Sequence, residues 1–392
     1  MPRHPRKPAH FSLRRQFLQT RSLVILELIL LPGVGLLGRS DAAHGQSVVD
    51  KSVDLPALPE LADTLAPQQV GDLTTCLLSR SAPAVPVSTA PSKPLPKENG
   101  FRVEESTDRL RISLSGQPVV DFVFRDDRIL RPYFANARLA DGRQITRNHP
   151  PVDGVDALDH DTNHPGIWLG FGDISGQDFW RNKAPIEHVR FIWPPAITDG
   201  RLQFATECRL KTNTGQPLCM LTNHFALTAR PRGWLLVWSA AFHADQQDFT
   251  FGDQEEMGFG ARVATPFIEK NGGFLRSSTG EKTAKATWGQ PADWCDYSGT
   301  SGDRSGGIML MASPDNFRRS WWHNRDYGVF VANPFGREAM KQGTRSTVTV
   351  ARGETLRIVF GALVHDNRDM NPAAEFNVFE QTLPSLRKPP TP

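Results

Sequence analysis

After Phe101 the sequence breaks into short runs in which every second residue is apolar, and turn-forming residues close each run. Leu110, Ile112 and Leu114 alternate up to Gly116-Gln117, and Val120, Phe122 and Phe124 alternate away from it, the pattern of a β-hairpin. Further strands are expected over residues 188–193, 202–210, 218–229, 234–243, 259–265, 307–312, 329–332 and 356–364. So many short strands, with almost no helical periodicity, constrain the chain to an all-β fold, a large antiparallel β-sandwich with few short helices. One helix is expected near the end, where Asn371-Pro372 supplies a cap and a first-turn proline ahead of Phe376, Phe379 and Leu383.

The strand pattern occupies residues 100–388, which are read as a single domain. Residues 46–99 are rich in Pro, Ala and Ser, as in Pro91-Ser92-Lys93-Pro94, and are read as a largely disordered linker because they offer little apolar surface to bury. Residues 1–45 have the three parts of an export signal: a basic start, an apolar run from Leu23 to Leu37, and small residues around Ala42-Ala43-His44-Gly45. Arg14-Arg15-Gln16-Phe17-Leu18 gives this signal a twin-arginine character. The expected location is periplasmic or extracellular, with an uncleaved amino-terminal anchor as the alternative.

The apolar run is interrupted by Glu27 and is shorter than the ~20 residues that a membrane span needs, so no stable span is expected once the signal is removed. Within it, Gly33-Val34-Gly35-Leu36-Leu37-Gly38 matches the dinucleotide-binding glycine pattern, but no helix pattern follows, and the match is rejected. The net charge of +3 is also a property of the signal: residues 1–45 hold seven basic and two acidic residues, and the remainder carries −2. A body without basic excess argues against a nucleic-acid partner. Among the cysteines, Cys208 and Cys219 lie nearly equidistant from the turn residues 211–215, so either a cross-strand disulfide or two buried thiols fits the spacing.

Four segments are unusually polar for their surroundings. Residues 147–182 gather His149, Asp159, His160, His164, Asp173 and Asp178 beside Trp168, Trp180 and Arg181, and Pro165-Gly166 stops any helix there. The others are Asp253-Gln254-Glu255-Glu256, Trp294-Cys295-Asp296-Tyr297, and Trp321-Trp322-His323-Asn324-Arg325-Asp326 followed by Asn333-Pro334-Phe335-Gly336. Loops at one end of a sandwich can converge from distant parts of a chain.

Three readings of these residues compete. In acid–base chemistry on a sugar, His160, His164 and His323 would exchange protons with Glu255 or Glu256 as partner. His149, Asp159, Trp168, Asp173, Trp180, Arg181, Asp296, Trp322, Arg325 and Asn333 would then line the cleft, the tryptophans offering faces on which a pyranose stacks. In a metal site, His160 and His164 with one carboxylate would hold a divalent ion such as iron or zinc, although no cofactor is required by the sequence. In the third reading, the histidines and aspartates hydrogen-bond loop backbones and hold a long irregular segment in place. His365-Asp366, at the end of the last strand, is a further candidate for the cleft. No G-x-S-x-G elbow, P-loop or H-E-x-x-H is present.

Several linked motifs resemble the bacterial family known as methane oxygenase PmoA: Arg131-Pro132-Tyr133-Phe134, Arg147-Asn148-His149-Pro150-Pro151, Asp159-His160, His164-Pro165-Gly166-Ile167-Trp168, Phe171-Gly172-Asp173, Asp178-Phe179-Trp180-Arg181-Asn182 and Asn333-Pro334-Phe335-Gly336. The resemblance covers about residues 101–385. It implies an exported protein with a β-sandwich similar to galactose mutarotase-like proteins, acting on carbohydrate or a sugar derivative by epimerisation, elimination or glycoside cleavage. The family name implies a metal-dependent oxygenase as an alternative, and a noncatalytic carbohydrate-binding protein is the third possibility.

Overall fold

The computed structural model describes residues 100–384, so the expected signal and linker lie outside the described residues. The first strands are β1 (Phe101–Glu105), β2 (Arg109–Leu114), β3 (Gln117–Val123), β4 (Tyr133–Ala135), β5 (Ile167–Phe171), β6 (Ile186–Thr198), β7 (Arg201–Lys211), β8 (Pro217–Arg230) and β9 (Gly233–His243). They are followed by β10 (Phe249–Phe251), β11 (Met257–Arg262), β12 (Phe274–Ser277), β13 (Trp294–Ser301), β14 (Arg304–Ala312), β15 (Trp321–Asn324), β16 (Val329–Asn333), β17 (Val348–Val350) and β18 (Thr355–His365). Two α-helices accompany them, α1 (Ala284–Thr287) and α2 (Pro372–Thr382).

The strands form two eight-stranded antiparallel sheets and a small ribbon of β10 and β17. The first sheet runs β1-β2-β3-β4-β5-β11-β16-β15, and the second runs β12-β13-β14-β18-β9-β8-β7-β6. The hairpin expected around Gly116 is β2–β3, with Leu110 opposite Phe122 and Ile112 opposite Val120.

Alternation along each strand drives the two sheets together, because it gives each one apolar face to remove from water. Phe122 and Phe134 of the first sheet meet Phe204, Phe225 and Trp238 of the second at centroid distances of 4.8 to 5.6 Å. Phe259 stacks on Phe360 at 5.2 Å. Trp234 and Trp238, four residues apart on β9, both face this core.

The outer faces are covered differently. On the second sheet, Ala226, Leu235, Val237, Met309, Met311 and Leu363 are sealed by α2 through Phe379, which is fully buried. The helix starts where expected, with Asn371 Oδ1 accepting from the backbone N–H groups of Ala373 and Ala374. On the first sheet, Tyr133, Ala135, Trp168, Val329 and Val331 form a second apolar layer with Trp180, which the 178–182 turn folds over it.

Cys208 and Cys219 are free and buried. The hairpin between them exists, but its register pairs Cys208 with Leu221 and Cys219 with Leu210, so the two thiols are diagonal neighbours rather than opposite. Among the described residues no helix is long and apolar enough to cross a membrane.

Candidate functional site

The polar segment 147–166 is held by arginines. Arg147, 2% exposed, donates to the carbonyls of Ala157, Asp159, His160 and His164 at 2.8, 2.6, 3.2 and 3.2 Å. Arg131 does the same for the adjoining turns, donating to the carbonyls of Asn163 and Trp180 and to Asn182 Oδ1. Arg262, the last residue of β11, pairs with both oxygens of Asp159. Partial burial works against ionisation of Asp159, yet Arg262 and then Arg147 hold its carboxyl below the ordinary value.

His164 is buried and stacks on Trp168 at 5.1 Å, and it meets Trp180 in a T-shaped contact with ring centroids 5.9 Å apart. Burial, reinforced by Arg262, pushes its imidazole well below the usual value, so it is neutral at ordinary pH. His160 turns outward and is exposed, its ring 5.2 Å from that of His164. Most of this segment's polar groups are therefore spent on holding a long irregular loop against the first sheet.

A second polar group lies farther along the same outer face. Cross-strand pairing aligns Tyr133, Trp168, Gly260, Val331 and His323 in one row across β4, β5, β11, β16 and β15. Gly260 is required there, because a Cβ would lie 2.8 Å from the Trp168 indole. Trp168 and His323 are three strand spacings apart, about 14 Å.

At the far end of the row His323, 5% exposed, has its Nδ1 3.0 Å from Glu255 Oε1, although not aligned as a good hydrogen bond. The same oxygen accepts from Trp288 Nε1 at 2.7 Å and from Arg325 at 2.7 Å. Partial burial raises the Glu255 pKa, but His323, Trp288 and Arg325 outweigh it and hold the carboxyl at about 2. No hydrogen bond is formed by Glu255 Oε2 among the described residues, and the side chain is 27% exposed. A cavity of about 390 Å³ opens beside Trp288 and Arg325, the two donors to Glu255, and is lined further by Glu269, Ala284, Lys285, Asn324 and Asp326; Glu255 and His323 themselves are not in its lining.

Local structure explains why these side chains meet. Asn333 pins the 253–256 loop, donating to the carbonyls of Gln254 and Glu255 while its Oδ1 accepts from the N–H groups of Phe335 and Gly336. The short helix α1 aims Trp288; Thr283 and Glu269 cap it, and Asn324 donates to Thr287. Arg181 bridges Asp178 and Glu256, tying the tryptophan turn to the Glu255 loop. Tyr327 lies 4.6 Å from the Arg262 guanidinium and within the influence of Arg325, joining the two polar groups.

Other expected site residues sit elsewhere. Trp322 faces the core between the sheets and donates to Ala292 O, because alternation on β15 sends its neighbour His323 outward instead. Asp296 lies on the outer face of the second sheet, fully buried, where it pairs with Arg276 and with His365 at 3.0 Å. His365 therefore also lies apart from the cavity. Asp173 closes a turn by accepting from Gly176 N–H. His149 packs on Tyr133, whose hydroxyl donates to Asp126, and burial lowers its pKa to about 4.

Among the described residues no group of three or more His, Cys, Asp or Glu side chains is arranged to hold a metal ion. In particular, Arg262 reaches both His164 Nδ1, at 3.5 Å, and Asp159, at 3.0 Å, so a cation already stands between that imidazole and the nearby carboxylate. The sequence reading missed Trp288, Arg147, Arg262 and Lys285. Arg147 lay within the Arg147-Asn148-His149-Pro150-Pro151 motif without being picked as a site residue, and Arg262 left a signal as a charged residue closing the apolar run 257–261.

Residues 109–376 match the model of a family of unknown function, DUF6807. The chain belongs to this family. The family carries no functional description, so the methane-oxygenase name implied by the motifs does not come with it. No curated protein matches the chain in sequence.

Solved structures with a similar fold include a beta-arabinopyranosidase, at a TM-score of 0.35 and 11% identity, covering 63% of this chain and 38% of that one. A galactose mutarotase-like protein from Lactobacillus casei has a TM-score of 0.31 and 10% identity, with 68% and 100% of the two chains covered. A second galactose mutarotase-like protein, from Clostridium acetobutylicum, has a TM-score of 0.34 and 8% identity, with 68% and 98% covered. Likenesses this distant carry no functional information.

Proposed function

We propose that the cavity beside Glu255 and His323 binds a sugar or sugar derivative and that His323 exchanges a proton with it. The observation that supports this reading is that Trp288 and Arg325, which line the cavity, both bond the carboxylate that His323 Nδ1 approaches at 3.0 Å. A carboxylate held at about 2 is too weak a base to take a proton from carbon at neutral pH. Glu255 instead orients the imidazole and accepts a ligand hydroxyl on Oε2, while His323 acts as acid or base through Nε2. Trp288 gives the cavity an aromatic wall, and a volume of about 390 Å³ suits one or two pyranose rings.

Epimerisation, elimination and glycoside cleavage all need such a proton-transfer group, and one assay separates them. The full chain is incubated with mono- and oligosaccharides, keto sugars included, and products are followed by NMR. Conversion by the wild type that is lost in His323→Ala supports the reading; substrates left unchanged by both, with no saturable binding, overturn it. A second reading, binding without turnover, is favoured by the low basicity of Glu255, and saturable binding without product would establish it. Export through residues 1–45 belongs to the same proposal and is tested by cell fractionation.

A further inference from the structure

Resting on that reading, we infer that the ligand of this cavity is an N-acetylated amino sugar whose amide N–H is accepted by Asn324 Oδ1. Asn324 ends β15, one residue past His323, and alternation turns it to the opposite side of the sheet, where it is 2% exposed and forms part of the cavity wall. Its Nδ2 donates to Thr287 Oγ1 at 2.8 Å and approaches Cys295 Sγ at 3.7 Å. Thr287 Oγ1 donates its own proton to the Thr283 carbonyl at 2.8 Å, so toward Asn324 it can only accept, and this fixes which end of the amide is the oxygen. Asn324 Oδ1 is buried and has no hydrogen-bond partner among the described residues. A buried acceptor without a donor costs free energy, which a donor brought by a ligand restores.

The rest of the wall selects the kind of donor. Glu269 and Asp326 stand against Lys285 and Arg325, two carboxylates and two cations, so the wall carries no net charge and suits a neutral ligand. A hydroxyl at Asn324 would bring an oxygen that itself needs a donor, whereas an amide N–H is a donor only and matches an acceptor that has nothing to give back. The remaining parts of an acetamido group also find partners in this wall: its carbonyl accepts from Lys285 or Arg325, and its methyl lies on Ala284. The pyranose ring then lies against Trp288.

Titration calorimetry of the full chain with N-acetylglucosamine, 2-O-acetylglucose and glucose tests this inference; in the second sugar an ester oxygen replaces the N–H. N-acetylglucosamine should bind at least roughly tenfold more tightly than either of the others. Asn324→Leu should bring N-acetylglucosamine to within about threefold of glucose. Equal binding of N-acetylglucosamine and glucose by the wild type overturns the inference and leaves the sugar site intact. Equal binding of N-acetylglucosamine and its ester analogue removes the N–H contact, and overturns the inference without any substitution in the protein. A preference retained in full by Asn324→Leu overturns it as well. Absence of binding by all three sugars overturns the inference together with the reading on which it rests.

Discussion

Arg147→Met isolates what holds the polar segment 147–166 in place. The native side chain makes two short bonds, 2.8 and 2.6 Å, and two longer ones of 3.2 Å, all to backbone carbonyls of one loop. Taking about 1.5 kcal/mol for each short charged bond and about 0.5 kcal/mol for each long one gives a gross loss of about 4 kcal/mol. Desolvation opposes this: burial, reinforced by the neighbouring Arg262, lowers the guanidinium pKa to about 10, and Met removes that cost while filling most of the volume. The net loss should be about 2 kcal/mol, which for a body of this size lowers Tm by about 4 °C. Differential scanning calorimetry reads the shift, and hydrogen exchange should show the lost protection concentrated over residues 150–164. Arg147→Lys should fare little better, since one ammonium cannot span four carbonyls. A Tm change under about 1 °C, with exchange over 150–164 unaltered, would refute the reasoning, because the loop would then be held by something other than this side chain.

Two further perturbations test the far end of the face. Glu255 has a folded-state pKa below its unfolded value, so its stabilisation is complete above about 4.5 and is lost as the pH falls toward about 2. Wild type should therefore exceed Glu255→Gln in urea stability by roughly 2 kcal/mol at pH 6, after allowance for solvent screening, and the gap should shrink by pH 3. A gap independent of pH would remove the charge argument. Gly260→Ala would put a methyl 2.8 Å from the Trp168 indole and 3.0 Å from Val331, and should cost about 1–3 kcal/mol with a change in tryptophan fluorescence. An unaffected spectrum at full stability would mean that the indole does not lie over β11.

What the sequence disclosed depended on whether alternation was visible. The β2–β3 hairpin and the Asn371 cap of α2 follow directly from residue spacing, because one face of each is buried and the other is wet. β5 was hidden because Ile167–Phe171 is buried on both faces and shows no alternation at all. β13 and β15 were hidden for the opposite reason. In Trp294–Ser301 the core-facing Cys295 and Tyr297 alternate with buried polar Asp296 and Ser298, so a regular strand reads as a polar loop.

The same masking misplaced Trp322, one residue from His323 but on the other side of the sheet. Glu255 and His323 were legible as chemical types, while their meeting depends on the register of β15 and on the Asn333 pin, neither of which has a local signature. Trp288 left no trace, since a four-residue helix defined by its caps has too little length for periodicity.

Soaking crystals of the full chain with the tightest-binding sugar measures the central claim most directly. The account predicts density for the sugar in the cavity bounded by Trp288, Lys285 and Arg325, with a hydroxyl within hydrogen-bonding distance of Glu255 Oε2 and a reactive carbon facing His323. A sugar bound saturably in solution but located anywhere else on the molecule would contradict it.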